Sequence, residues 1–252
     1  MNPILSIITA TYNSDKTLDD TIQSLLNQNY NNYEYILIDG KSKDNTLEII
    51  KKYEPIFQGK KITYTWISEK DSGIYNAWNK GLKLAKGKWI SFLGSDDIYL
   101  ENALEKYAYQ IFKNTDVDFI HSKVKLMDGK KTTFIISDKW VWKNFKREMK
   151  IAHVGSFHNK YFFEKYGNFN EKYKIIGDYE MLLRAKNNLK TLFFDDFTAE
   201  MKVGGISNEN IIGAFKEVRE AKINTAKINE LIAYFDFYFF ILKYYLSKIF
   251  KK

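Results

Sequence analysis

The chain has 252 residues, 45% of them hydrophobic and 28% charged. That fits one substantial core with an appendage and excludes wholesale disorder or a polytopic membrane protein. The absence of Cys removes disulfide scaffolds, zinc thiolates, iron–sulfur clusters and Cys nucleophiles, and 3 His leave little for a His-built metal site. The net charge of +8 suits a nucleic acid, an anionic membrane surface or a phosphate-bearing substrate, and equally a merely Lys-rich composition. No basic, apolar leader is visible at residues 1–4, so a cytoplasmic location is expected.

Strand and helix periods alternate along the first hundred residues. Residues 4–8 form a short apolar run of the kind that makes a buried parallel strand. In residues 17–29, Leu18, Ile22, Leu25 and Leu26 repeat as one helical stripe, with Ser14 and Asp15 as capping candidates before it. Residues 35–38 make a second strand that ends at Asp39-Gly40. A second helix opens at Asp44-Asn45-Thr46 and runs to Tyr53. A third strand at 62–67, a helix at 74–85 and a strand at 89–93 complete the series. Four such units predict right-handed crossovers and a mainly parallel sheet with helices on both faces.

The second half is less regular. Helices are predicted at 102–114, 178–187 and 210–227. A hairpin is predicted over 119–126 and 132–136 around Asp128-Gly129, and short strands at 192–194 and 201–203.

Each of the first four strands runs into polar residues. These are Thr9-Ala10-Thr11-Tyr12-Asn13, then Asp39, then Ser68-Glu69-Lys70-Asp71-Ser72-Gly73, then Gly94-Ser95-Asp96-Asp97. Ligands of open parallel sheets bind outside the carboxyl ends of the strands. A carboxylate there can accept hydrogen bonds from a base or ribose, and Tyr12 can stack on a base. One such residue alone is more often a turn or cap; four sets at one edge are hard to explain that way. The pair Asp96-Asp97 offers hard oxygens suited to Mg²⁺ or Mn²⁺ beside a diphosphate.

The runs 6–13, 37–46, 68–81 and 92–97 together resemble the family 2 glycosyltransferases of the GT-A (nucleotide-diphospho-sugar transferase) fold, in that family's order and spacing. A weaker match continues through His153 and Ile176-Gly177-Asp178-Tyr179-Glu180 to about Ser207. The resemblance extends to single-addition enzymes of bacterial surface-polysaccharide assembly, lipopolysaccharide or capsule. It implies an inverting, metal-dependent transfer from a nucleotide sugar, UDP first, to a saccharide or lipid-linked acceptor. Thr11, Tyr12, Asn13 and Asp39 would contact the nucleoside, with Asp71 near it and Asp96 facing the ribose or donor sugar. Asp97 would ligate the Mn²⁺ or Mg²⁺, with Asp96 and His153 as further candidates, and Asp178 would be the general base. The chain departs from the family pattern at Lys41, where a small residue is frequent, at Trp78, where many members carry Arg, and at Gly177, where the late motif usually has Glu. No Gln-x-x-Arg-Trp follows, which implies single addition.

Residues 1–227 are read as the catalytic domain, with 1–100 holding the nucleotide and 101–227 the acceptor. Residues 228–252 are read as a C-terminal helix. Its stretch 231–250 has 16 apolar or aromatic residues of 20, interrupted by Asp236, Lys243, Ser247 and Lys248. The interruptions favour an interfacial helix over a spanning one, placing the protein at the inner face of the membrane through residues 231–252. Packing on the core or on a second subunit is the alternative. Gly204-Gly205 suggests a lid or a plain turn. Rival functions are a sugar-phosphate nucleotidyltransferase, disfavoured because residues 9–18 hold neither Gly nor Arg for a triphosphate loop, and a basic nucleic-acid binder, disfavoured by the acids at the sheet rim.

Overall fold

The computed structural model describes residues 2–204 and 210–250; Gly205 and the terminal Lys251-Lys252 lie outside the described residues. Strands β1 (Leu5–Thr11), β2 (Tyr33–Asp39), β3 (Thr63–Ser68) and β4 (Trp89–Phe92) pair in parallel in the order β3-β2-β1-β4. Alternate side chains serve two cores. Leu5 and Ile7 face one side with Tyr33, Tyr35 and Leu37, whereas Ile8 faces the other with Ile36 and Ile38. Burial on both faces is why these strands read as unbroken apolar runs. Helices α1 (Leu18–Leu26), α2 (Thr46–Lys52), α3 (Glu54–Gly59) and α5 (Ala103–Lys113) cover the first face, and α4 (Ile74–Leu84) the second. The helix expected from Asp44 to Tyr53 is α2, and the short α3 that follows it, with Pro55 in its first turn, is not among the expected elements.

The sheet continues past β4 with mixed directions. Strand β8 (Ser156–Asn159) is antiparallel to β4 and to β6 (Phe119–Asp128). Strand β6 pairs in parallel with β9 (Thr191–Lys202) and forms the expected hairpin with β7 (Lys131–Ile136). The two short strands expected at 192–194 and 201–203 are both parts of β9. Asp195 and Asp196 break the apolar pattern because the register shifts there: Ser122 pairs with Phe194 and Lys123 with Phe197. The two acids turn outward to Lys123 and Lys106. The short β5 (Ile98–Tyr99) closes the edge against β9.

Helices α6 (Trp142–Phe145), α7 (Lys160–Tyr166), α8 (Gly177–Leu183), α9 (Ile211–Asn224) and α10 (Glu230–Phe250) complete the second half. Asp236, read above as an interruption of an apolar segment, is an anchor. Its carboxylate accepts from Lys222 Nζ of α9 at 2.9 Å and from Arg147 Nη2 at 2.6 Å, and it is almost fully buried, as is Lys222. Burial works to raise the Asp236 carboxyl, but the bonds from Arg147 and Lys222 outweigh it and hold it below its ordinary value; burial lowers Lys222.

Removing one partner of a buried pair leaves the other charge uncompensated. Asp236→Ala should therefore destabilise the protein by about 3–5 kcal/mol, while Asp236→Leu combined with Lys222→Met should recover most of the loss. Urea unfolding measures both, and a wild-type midpoint for Asp236→Ala would show that the pair does not hold α10.

Candidate active site

The strand order reverses between β1 and β4, and this is the crevice where open α/β sheets bind ligands. The register aligns the rim: Thr11 lies opposite Asp39, and Asp39 opposite Ser68. The Asp39 carboxylate is fully buried and accepts from Ser68 Oγ at 2.6 Å and from the Ser42 hydroxyl and amide. Lys41 stands in the left-handed region at φ +65°, a backbone state that explains why a small residue suits this place. Asn13, also left-handed at φ +51°, donates its amide to Ser42 Oγ and accepts from the Lys43 amide. Ser14 is no helix cap: its hydroxyl meets Ser95 Oγ at 3.0 Å, tying the loop after β1 to the loop after β4. A Cβ at Gly40 would stand 2.7 Å from an Asp71 oxygen and 3.4 Å from the Tyr12 ring, so both side chains close on that backbone. Tyr12 is exposed, as a stacking ring must be.

Asp96 and Asp97 converge over Gly94. A Cβ there would lie 3.1 Å from Asp96 Oδ1 and 2.5 Å from Asp97 Oδ2. Asp96 is half-buried. Asp97 is not the water-facing rim acid that its loop position suggests; it is buried, and its Oδ1 accepts the Lys202 amide at the end of β9 at 3.0 Å. Burial, with the neighbouring Asp96 charge, raises its carboxyl to about 7. Two hard-oxygen acids crowded together, neither of them in a salt bridge among the described residues, fit a divalent ion. Among the described residues no three His or acidic side chains gather to hold one, so the protein would supply only part of its coordination.

Across the crevice, Asp178 lies in the first turn of α8 and is not its cap. Tyr75 of α4 donates its hydroxyl to Asp178 Oδ1 at 3.2 Å and to the Ile175 carbonyl at 2.9 Å. Gly177 is needed for that ring rather than for close approach of a substrate: a Cβ would stand 2.8 Å from Tyr75 Cε2. Glu217 of α9 accepts the amides of Lys174, Ile175 and Ile176, fixing the segment that leads into α8. Glu180, the other acid of the motif, is buried and bound to Arg184 and Thr225, so it is committed elsewhere.

His153 stacks on Phe92 with centroids 5.1 Å apart, and its Nε2 meets His158 Nε2 at 3.0 Å. Burial lowers its pKa, while the Asp178 charge works in the opposite direction, so the two groups face each other electrostatically. This ring packs into the wall of the cleft, and it does not complete a three-ligand metal set with Asp96 and Asp97. Trp78 packs beside it against Phe92 and Phe169.

One cleft of about 1170 Å³ joins Tyr12, Asn13, Asp96, Asp97, His153 and Asp178. Thr11, Asp39 and Asp71 do not line it and stand behind its rim. Glu217 and His158 are supports that no sequence motif marks, while Tyr75 and Ser95 lie within the runs 68–81 and 92–97, which do not reveal the contacts they make.

Residues 6–179 match the family model "Glycosyl transferase family 2". The chain belongs to that family. It is a glycosyltransferase, which removes the nucleotidyltransferase and nucleic-acid readings. It is 29% identical over 210 residues to a PGL/p-HBAD biosynthesis glycosyltransferase of Mycobacterium tuberculosis, covering 82% of this chain and 80% of that one. A putative teichuronic acid biosynthesis glycosyltransferase of Bacillus subtilis, TuaG, is 38% identical over 104 residues, 41% of this chain and 40% of that one. The fold matches Staphylococcus aureus TarS: a structure of its residues 1–349 with UDP-GlcNAc superposes with TM-score 0.69 at 20% identity over 91% of this chain and 69% of that one. Against a longer TarS chain the share is 41%. A mannosyltransferase of Pyrobaculum calidifontis with GDP-Man and Mn²⁺ gives TM-score 0.66 at 13% identity over 91% and 66%.

In this glycosyltransferase the Gly177–Tyr75 contact makes a direct prediction. Gly177→Ala must push the buried ring away from Asp178, costing about 1–3 kcal/mol of stability and lowering the transfer rate. An unchanged unfolding midpoint together with an unchanged rate would show that the ring does not need this space.

Proposed function

We propose that the protein moves one sugar from a nucleotide-diphosphate sugar, UDP first, to a hydroxyl of a saccharide or lipid-linked saccharide, inverting the anomeric centre. The observation that carries this reading is that Tyr12, Asp96 and Asp178 open onto one cleft across the β1/β4 reversal. The neighbours solved with UDP-GlcNAc and with GDP-Man and Mn²⁺ support it. Tyr12 stacks on the base, Asn13 and Asp96 contact the nucleoside or donor sugar, and Thr11, Asp39 and Asp71 hold the rim from behind. Asp96 and Asp97 would hold Mg²⁺ or Mn²⁺, which would supply positive charge against the diphosphate. Asp178 is the base. Tyr75 orients it through Oδ1, and the acceptor proton passes to the carboxylate as the acceptor oxygen bonds to the anomeric carbon. The bond from that carbon to the diphosphate breaks, and the nucleoside diphosphate leaves with the electron pair. A single displacement of this kind inverts configuration.

Incubation with a panel of nucleotide sugars, with release of nucleoside diphosphate as the readout, tests the reaction. Asp178→Asn should bind the donor with near-normal affinity while transfer falls by roughly 10²–10⁴-fold. Normal transfer by Asp178→Asn would remove the assignment. Asp97→Asn retains an acceptor for the Lys202 amide, so it should fold and lose metal-stimulated turnover. Full wild-type turnover after exhaustive chelation would sink the metal role.

The proposal includes contact with the inner face of the membrane through α10. Among the described residues no helix is long and apolar enough to cross a membrane. Leu231, Phe235, Tyr238, Leu242, Tyr245 and Ile249, at spacings of 4, 3, 4, 3 and 4, form a stripe in which every side chain is more than half exposed. Such a stripe needs a cover, and the nearby Lys243 and Lys248 suit anionic lipid. Deleting the helix would strip Lys222 of its partner, so the cleaner test is Phe235→Ser with Leu242→Ser. The double variant should lose sedimentation with anionic vesicles while remaining folded. Wild-type protein that ignores vesicles but dimerises through this stripe would replace the membrane with a second copy.

A further inference from the structure

The catalytic cleft is larger than one substrate needs. Ligand pockets commonly measure about 300–1000 Å³, and this one reaches about 1170 Å³. Beyond Asp178 its character changes. The far end is walled by Met149, Ile151, Ile176, Phe215, Val218 and Phe240. Phe215 of α9 and Phe240 of α10 stack with centroids 6.3 Å apart, and both stay half-buried, with ring surface still open. The Arg147 guanidinium at this end is already committed to Asp236. Glu148 also lines the cleft, so a second sugar lodged here would find one carboxylate beside an otherwise apolar wall, and most of its hydroxyls would lose water without a partner, an unfavourable exchange.

We infer that this end of the cleft, between α9, α10 and residues 149–151, is a subsite for the apolar aglycone of the acceptor, a hydrocarbon or aryl group linked to the sugar whose hydroxyl faces Asp178. The inference rests on the transfer reading above and adds the acceptor's class to it. The subsite is continuous with the catalytic carboxylate within one cavity, and one of its walls is the helix whose outer face is the exposed apolar stripe. An acceptor held in a lipid layer against that stripe would enter beside Phe240.

Because the acceptor sugar is unidentified, the probes are methyl, n-octyl and p-nitrophenyl glucosides below micellar concentration. Binding is read from tryptophan fluorescence, since Trp78 lines the cleft. The wild type should bind the octyl or nitrophenyl probe at least roughly ten-fold tighter than the methyl one, the scale on which apolar pockets discriminate. An octyl preference marks an acyl-type carrier, and a nitrophenyl preference an aromatic one. Phe240→Ser should abolish the preference. Val218→Trp, which fills the subsite without making it polar, should abolish it too and keeps the test valid if the first variant unfolds. Phe235→Ser with Leu242→Ser, on the outer face, should leave it intact. Equal binding of all three probes, or a preference lost only in the outer-face variant, overturns the subsite. The readout is equilibrium binding, so it stands apart from nucleoside diphosphate release: failure of turnover with intact probe preference would count against the transfer reading and not against the subsite.

Discussion

A carboxylate removed from water must find donors, and five acids are buried among the described residues. Glu34 takes the Ser6 hydroxyl and the Lys86 and Gly87 amides; Asp39 takes Ser42 and Ser68; Glu180 takes Arg184 and Thr225; Asp236 takes Arg147 and Lys222. Each of these four stitches separate pieces of chain together. Asp97 is the exception. One of its oxygens holds the end of β9, and the other is pressed toward Gly94 beside Asp96, so proton loss is resisted until about neutral pH. The backbone of Lys202 and Gly94 and the Lys202 charge offset part of that burial, and the remaining cost is tolerated where a ligand supplies further charge. The site is thus marked by the one of these five acids whose hydrogen bonds come from backbone.

That contrast orders the acids that the sequence could only place together at one edge. Asp39 and Asp96 both follow strands and read alike as letters. In the fold, Asp39 is saturated and sets the shape of the rim, whereas Asp96 stays open to the cleft. Asp178 and Glu180 also read alike, two residues apart on a helix start. Their roles separate because residues two apart point to different faces: one reaches Tyr75 and the cleft, the other Arg184 and α9's end.

The first half of the fold was legible because each strand is sandwiched between helices and each helix carries one apolar stripe. The second half obeys constraints that leave little periodic trace. Strand β8 has 4 residues and β5 only 2, too short for any period. Strand β9 hides its continuity behind the outward-turned Asp195 and Asp196. The support of Asp178 was invisible for a related reason. Tyr75 and Glu217 lie 103 and 39 positions away; Tyr75 sits within the motif run 68–81, but its link to Asp178, like that of Glu217 to residues 174–176, is set only when the helices dock.

The C-terminal helix shows how one polar residue can reverse its meaning. In the sequence Asp236 argues against a membrane span. In the fold it is the reason the helix has a defined orientation at all. With Ala233 and Asp236 turned inward, the stripe from Leu231 to Ile249 must face outward, and Phe240 must face the cleft. The same carboxylate grips Arg147, whose neighbours Glu148 and Met149 form the opposite wall of the apolar end. Helix α10 and that wall are therefore held by one buried charge cluster and cannot move independently without exposing it. Burying those charges costs more than an apolar contact of the same size would, but apolar contacts are non-directional and could not fix the helix's rotation. Since that rotation decides which residues reach the cleft and which are left for an outside surface, the ionic anchor is the physical link between the Phe240 end of the cleft and the exposed face of the protein.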